Sequence, residues 1–205
     1  MKLKVWEIAL VIAVVAALLG GTALAREQAE LSSKLIRLHV VPNSDSKEDQ
    51  ALKTAVRDKV LEMTQPLLKG ITDRDLARAV LAEYLPAIEE AAAETVRENG
   101  FDYPVTATLG MESLPTRRYE TFALPAGDYL SLRVTIGEGG GGNWWCVVYP
   151  PLCFAAAEGD VEAFAGLTDE EVRLITEETP RYVIKFKTLE IFHKIKAFFK
   201  ERGIF

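Results

Sequence analysis

The spacing of apolar residues changes near Pro104, and this change constrains the fold more than any other feature of the chain. Between Ser46 and Pro104, apolar residues recur at three- and four-residue steps, which is the period of an amphipathic helix. After Pro104 they recur at every second position, which is the period of a half-buried strand. A chain that carries helices first and strands later is predicted to fold as an α+β domain.

Two helices are predicted before Pro104. The first begins at a cap supplied by Ser46 or Asp45 and ends at Gly70. The second is expected to break or kink at Pro86, because proline lacks the N–H and clashes with the preceding turn, and to end at Asn99-Gly100. The apolar stripes are Leu52, Val56, Val60, Met63 and Leu67 in the first helix, and Leu76, Val80, Leu81, Tyr84, Ile88, Ala92 and Val96 in the second.

Six strands are predicted from alternation, at residues 35–41, 105–109, 119–124, 130–136, 143–149 and 182–186. The glycine-rich residues 137–142 are predicted to be a flexible hairpin tip that pairs the two strands flanking them. A short helix is expected near residues 169–177. These elements predict an antiparallel sheet with two or three helices packed on one face, which the first strand joins from a distance in sequence.

The first 25 residues have the order of a secretory leader. Lys2 and Lys4 precede an uncharged apolar run, and the small-residue triplet Ala23-Leu24-Ala25 follows it. We expect either cleavage after Ala25 or retention as an N-terminal anchor, and both place the remainder outside the cytoplasm. The predicted organisation is a leader or anchor at 1–25, one α+β domain at 26–187 and a basic amphipathic helix at 188–205.

The charge of the chain argues against nucleic acid as a partner. The formal net charge is −6, and removal of the leader with its two lysines and Glu7 makes it more negative. Phosphate backbones are bound by basic surfaces, which an acidic domain lacks. The C-terminal helix is the basic exception, and it is predicted either to lie on an anionic membrane or to pack on its own domain.

The two cysteines, Cys146 and Cys153, lie seven positions apart around Pro150-Pro151. Outside the cell such a pair can oxidise, and the prolines predict a bend that brings the sulfurs together. The alternative is that both are buried thiols that act as small apolar residues.

Enzymatic chemistry has few candidates in this sequence. A hydrolase would need a thiolate beside an imidazole, and the candidates are Cys146 with His39, oriented by Asn43 or Asp45. The other histidine, His193, lies in the basic tail with no carboxylate arrangement beside it. The two histidines and two cysteines lack the paired spacing of a zinc site, and no lysine follows the glycine run as a phosphate-binding loop requires. We therefore predict no catalytic residue, no cofactor and no metal.

Surface positions are better candidates for function. On the first strand Arg37 and His39 alternate with apolar residues, so both are expected on an open face or at a rim of the sheet. Trp144 and Trp145 are adjacent and therefore point to opposite faces of their strand. At least one of them must be covered, either by the C-terminal segment or by another protein, since tryptophan is common at binding hot spots.

Four segments in a fixed order resemble stage II sporulation protein R of endospore-forming bacteria. They are IRLHVVPNSDSKEDQALKTAVRD, FDYPVTATLG, LPAGDYLSLRVTIGEG and NWWCVVYPPLCF, and they cover about residues 35–154. The resemblance implies a signalling protein that is secreted from the forespore into the intermembrane space. There it triggers a membrane-embedded aspartic peptidase, which removes the pro-sequence of the mother-cell sigma factor.

The resemblance brings no catalytic residues with it, so the role expected of its motifs is contact with the peptidase. The candidate contacts are Arg37, His39, Asn43, Asp45, Trp144 and Trp145. The competing classes are an exported Cys/His hydrolase that acts on envelope or peptide material, and a structural envelope protein.

Overall fold

The computed structural model describes residues 26, 28–119, 122–152 and 167–176. The leader, Cys153, the predicted strand at 182–186 and the predicted helix at 188–205 lie outside the described residues. Residues 28–34 are helical. The further helices are α1 (Lys47–Leu68), α2 (Arg74–Glu98) and α3 (Asp169–Thr176), and the strands are β1 (Ile36–Val41), β2 (Val105–Leu114), β3 (Arg117–Arg118), β4 (Ala123–Leu124), β5 (Gly127–Ile136) and β6 (Trp144–Tyr149).

Four strands form one mixed sheet in the order β2-β5-β1-β6. Strand β1 is parallel to β5 and antiparallel to β6, and β2 is antiparallel to β5. The prediction of an antiparallel sheet is therefore wrong for the β1–β5 pair. The predicted hairpin between β5 and β6 is also wrong, because β1 lies between them and the glycine-rich segment crosses over its end. All six residues of β1 are buried, as expected of a central strand.

Helices α1 and α2 pack on one face of the sheet and form the helix-side core. Ser46 caps α1 by accepting a hydrogen bond from the Asp49 N–H, as predicted, and Asp73 caps α2 in the same way. The helix-side core includes Ile36, Leu38, Val40, Leu52, Val56, Val60, Leu81, Ile88, Ala92, Val96, Leu132, Val134 and Ile136. Most of the predicted apolar stripe residues thus lie where an amphipathic helix meets a sheet.

Helix α2 continues through Pro86, so of the two predicted outcomes, a break or a kink, the break does not occur. A proline in a helix interior costs about 3 kcal/mol, because one backbone hydrogen bond is lost. Leu81 and Ile88, on either side of Pro86, have no exposed surface. Burial of side chains of this size gains about 1.5–3 kcal/mol each, so packing on the sheet outweighs the local preference.

The opposite face of the sheet is also covered in part, by what we call the second core. Its members come from the helical residues 28–34, the β3–β4 hairpin, α3 and the sheet itself: Leu31, Leu35, Leu114, Phe122, Leu124, Tyr129, Val147, Leu152 and Ile175. An ion pair of 2.8 Å between Lys34 Nζ and Glu171 Oε1 joins the first of these segments to α3. The prediction that helices pack on one face alone is therefore wrong.

Helices long and apolar enough to cross a bilayer were sought in the part of the chain that the structure describes, and none was found there.

Candidate partner-binding site

The central strand β1 carries two basic side chains to the second face of the sheet, and both are buried. Arg37 is 0% exposed and His39 is 2% exposed. The expectation that these residues lie on an open face or at a rim is wrong. The second core covers this face beside them, an arrangement that local alternation within β1 does not reveal.

His39 belongs to an ion cluster that spans three strands. Its Nδ1 lies 3.0 Å from both carboxylate oxygens of Glu112 on β2. Arg133 on β5, the strand between them, donates from Nη1 to Glu112 Oε1 at 2.9 Å. Burial alone would raise the pKa of Glu112, but the hydrogen bond and charge of His39, with Ser131 and Arg133, hold that pKa below its ordinary value.

Trp145 covers the imidazole of His39 from strand β6. The two residues are paired across β1 and β6, and their rings stack with centroids 3.8 Å apart and planes 13° apart. Trp145 is only half-buried, so one part of its ring faces outward while the other touches His39. The guanidinium of the exposed Arg117, on β3, lies 5.2 Å from the Trp145 ring centroid.

Arg37 lies deeper, among aromatic rings. Its Nη2 donates to the Tyr119 hydroxyl at 3.1 Å, and its guanidinium lies 5.0 Å from the ring centroid of Tyr129 and 5.9 Å from that of Trp145. Burial raises the pKa of Tyr129 above its ordinary value, against the opposing charge of Arg37. The Tyr129 hydroxyl is itself held, because it donates to the Pro125 carbonyl at 2.7 Å.

Asn43 and Asp45 hold the glycine-rich crossover in place. Asn43 Oδ1 accepts from the Glu138 N–H at 3.0 Å, and Asp45 Oδ1 accepts from the Gly142 N–H at 2.5 Å. The Gly140 N–H donates to the Asn43 carbonyl at 3.0 Å. Two segments almost a hundred residues apart are therefore locked together, and the glycine run is a tightly packed crossover rather than the predicted flexible hairpin tip.

Asp49 anchors the same loop from within α1. Its Oδ2 accepts from Ser44 Oγ at 2.5 Å and from Asn43 Nδ2 at 3.0 Å. The Ser44 hydrogen bond, opposed by burial and assisted by Asn43 and Tyr103, lowers the pKa of Asp49 below its ordinary value. Asn43 therefore has an internal structural role, whereas the side chain of Asp45 remains exposed.

Trp144 lies on the face opposite Trp145. It packs against the helix-side core, and the Arg57 guanidinium of α1 lies 4.9 Å from its ring centroid. Strict alternation along β6 would place Tyr149 on the side of Trp145, but Tyr149 packs in the helix-side core, because the β1–β6 register shifts between Ile36 and Arg37. The six predicted contact residues thus fall into three places: the Arg37–His39–Trp145 group, the Asn43–Asp45 loop and Trp144.

Cys146 cannot form a catalytic pair with His39. Cys146 is paired with Leu38, and His39 is paired with Trp145. Because paired residues share a face and neighbours alternate, the sulfur and the imidazole lie on opposite sides of the sheet. Cys146 is disulfide-bonded, and Cys153 lies outside the described residues. Among the residues that the structure places, no group of three or more His, Cys, Asp or Glu side chains is arranged to hold a metal ion.

Comparison with known protein families establishes the family of the chain. The family model described as stage II sporulation protein R matches residues 32–159, which is more than half of the chain. The chain belongs to the stage II sporulation protein R family. It is 40% identical over 124 residues to stage II sporulation protein R of Bacillus subtilis (strain 168). That match covers 60% of this chain and 55% of the relative, so it spans little more than half of the relative's length. No solved structure matches significantly.

Sequence reasoning missed four residues of the site, Glu112, Arg133, Arg117 and Tyr119, all of which lie within the part matched by the stage II sporulation protein R family model. Glu112 is 73 positions from the histidine it contacts. The available signal in the sequence was a polar residue within or just after an alternating segment, and such a position does not specify a partner. Only the strand order brings these side chains together.

Proposed function

We propose that this chain is a secreted intercompartmental signal of sporulation. In this proposal it leaves the forespore, reaches the intermembrane space and triggers a membrane-embedded aspartic peptidase, which then processes the mother-cell pro-sigma factor. The observation that carries the proposal is the family match over residues 32–159, which lies directly behind a leader-like N-terminus. The family membership supports a role in sporulation, and the export step and the peptidase are the proposed parts.

Two of the predicted contact residues are buried, so fewer residues are available for contact with the peptidase. Arg37 and His39 lie beneath Trp145, so they cannot form a flat contact surface by themselves. The outward parts of the same group are the half-buried Trp145, the exposed Arg117 and Arg133, whose side chain is 42% exposed. Tryptophan and arginine are enriched at binding hot spots. We place the peptidase contact on this side of the sheet.

A trigger must discriminate between two states of its partner. Binding shifts an equilibrium only by the difference in affinity for the two states, so the chain would have to bind the active peptidase better than the resting one. Retention near the bilayer, through an uncleaved leader or the basic residues 188–205, would raise its effective concentration at the peptidase.

The test is reconstitution in a bacterial host that does not sporulate. The peptidase and its pro-protein substrate are produced with the full chain, with a chain lacking residues 1–25, or with residues 1–25 replaced by an unrelated secretory leader. We expect processing with the first and third chains and none with the second. Absence of processing with the full chain, or processing without a leader, would contradict the proposal.

The competing hydrolase loses its main support in the described residues. The candidate Cys146–His39 set is divided by the sheet, and its cysteine is disulfide-bonded. A structural envelope role is separated from signalling by deletion of the gene, since only a signal would be needed for processing of the pro-protein.

A further inference from the structure

Among the described residues, several buried polar atoms on the second face of the sheet have no hydrogen-bond partner, and the ones in side chains that can only donate belong to Arg37 and Trp145. They are Nε and Nη1 of Arg37 and Nε1 of Trp145. A guanidinium is always charged and only donates, and an indole N–H also only donates. These buried atoms are therefore destabilising unless they donate to an acceptor, and the charge of Arg37 favours a negatively charged acceptor.

The described part of the chain does not supply a negative acceptor to Arg37. The acidic side chain of the neighbouring cluster, Glu112, is engaged by His39 and Arg133. The contacts of Arg37 are a neutral hydroxyl, that of Tyr119, and the faces of two rings. A fully buried cation with this surrounding is costly to the free protein, because its hydration is lost and no counter-charge replaces it.

Trp145 lies near a second cation as well as the buried one. The Arg37 guanidinium carbon lies over the Trp145 ring, 5.9 Å from its centroid, which is within the range of a cation–π contact. Arg117, exposed and 5.2 Å from the same ring, is a second cation on the outward side.

We infer that Arg37, Trp145 and Arg117 form a binding site for the side-chain carboxylate of an acidic peptide segment in a partner protein. This inference rests on the proposed function and names the chemistry of the partner's contact. The carboxylate meets the exposed Arg117 first, displaces it from the Trp145 ring and pairs with Arg37 beneath. Charge-assisted hydrogen bonds to a desolvated guanidinium are among the stronger polar contacts in proteins.

The surroundings favour a peptide over a phospholipid headgroup. Arg37 is bonded to the Tyr119 hydroxyl and lies over the rings of Tyr129 and Trp145, so the anionic group that reaches it must be small and carried on a narrow stem. An aspartate or glutamate side chain has this shape. Arginine, tryptophan and tyrosine together are also the composition of protein–protein hot spots.

The first test compares the stability and the signalling of Arg37→Met, which keeps the length of the side chain but removes the charge. If Arg37 awaits a partner's carboxylate, the purified full chain carrying Arg37→Met unfolds at the same or a higher urea concentration than the unmodified chain, while processing in the reconstituted host falls by about thirtyfold or more. Arg118→Met is the control, because Arg118 is exposed and lies beside Arg117 on the β3–β4 hairpin. It should change neither the urea midpoint nor processing. A clear fall in the urea midpoint of Arg37→Met would show that contacts within the free chain already stabilise the Arg37 charge, and would overturn the inference.

The second test uses the purified chain alone, so its failure leaves the proposed function standing. The indole N–H signals of Trp144 and Trp145 are followed by NMR as N-acetyl-glutamate methylamide is added, with N-acetyl-glutamine methylamide as the neutral probe. The signal of Trp145 is expected to shift when the glutamate probe is added but not when the glutamine probe is added, and the shift should be smaller at high salt. The Arg118→Met chain should show the same shift, and the Arg37→Met chain should show none. Equal shifts with both probes, or a shift with inorganic phosphate or anionic vesicles but not with the glutamate probe, would overturn the inference.

Discussion

At the scale of single residues, charged side chains lie in shielded positions where the sequence pattern predicts a surface. His39, Glu112 and Arg133 form a cluster across three strands, and the stacked ring of Trp145 shields it. Hydrogen bonds to charged groups contribute about 1.5–3 kcal/mol when the groups are largely shielded from water. The side chain of Glu112 is 20% exposed, so its contacts are expected at the lower end of that range.

Glu112→Gln is predicted to lower the free energy of unfolding by about 1–2 kcal/mol at pH 7, because two charge-assisted contacts become weaker. The folded state lowers the pKa of Glu112 below its ordinary value, which is the value in the unfolded chain. The contribution is therefore complete above that value and is lost as pH falls through the lower, folded pKa. Urea unfolding from pH 7 to pH 3 should show the difference between the two chains shrinking with acid. Glu94→Gln, at an exposed site on α2, is the control, and a difference that does not depend on pH would refute the assignment.

At the scale of elements, two features run against local preference. Helix α2 contains Pro86, and the β5–β6 crossover packs directly against the loop after β1. In both cases contacts distant in sequence decide the outcome. Each feature leads to a substitution whose effect has a defined sign.

Pro86→Ala is predicted to raise the free energy of unfolding by about 1–3 kcal/mol. Alanine restores the backbone N–H and removes the clash with the preceding turn, and Pro86 is exposed, so little packing is lost. The urea midpoint of the purified chain measures the effect. A lower midpoint would mean that a bend at Pro86 is needed for α2 to fit the sheet.

Gly137→Ala is predicted to lower the free energy of unfolding by about 2 kcal/mol or more. Gly137 has φ +59°, and a Cβ there would lie 2.3 Å from Asn43 Oδ1. The left-handed backbone alone costs an alanine about 1–2 kcal/mol, and displacement of Asn43 adds to it. Gly110→Ala is the matched control, because a Cβ at Gly110 meets nothing within 4 Å. Equal urea midpoints for the two variants would show that the crossover does not pack on Asn43 as described.

At the scale of the whole molecule, a central strand from the start of the domain holds the sheet together. Strand β1 joins β5 to β6, and the two cores lie on either side of it. The second core is built largely from segments remote from β1, including the β3–β4 hairpin and α3. Cys146 lies on β6, at one edge of this arrangement in the described residues.

The disulfide of Cys146 is predicted to be formed with Cys153, because the chain has two cysteines. Denatured but unreduced protein should take up no alkylating reagent, and reduced protein should take up two equivalents. Cys146→Ser with Cys153→Ser should lower the free energy of unfolding by about 2 kcal/mol, since the closed loop is short. Mass spectrometry and urea unfolding measure these outcomes. Alkylation of both cysteines without reduction would contradict the prediction.

The sequence by itself determined the local elements and the family. The period of apolar residues placed α1, α2, β1, β5 and β6 correctly, and placed the short helix α3, because this period reflects which face of each element is buried. Four motifs in order indicated the stage II sporulation protein R family, and the family model matches the same part of the chain.

The tertiary structure alone decided the strand order and the surroundings of the site. Alternation says that Arg37 and His39 share a face, but not that a second core covers it or that Glu112 reaches His39 across β5. Pairing between strands depends on contacts made over long stretches of chain, and no local pattern records them. The buried guanidinium of Arg37, on which the proposed carboxylate site rests, is visible only when β1, β3, β5 and β6 are seen together.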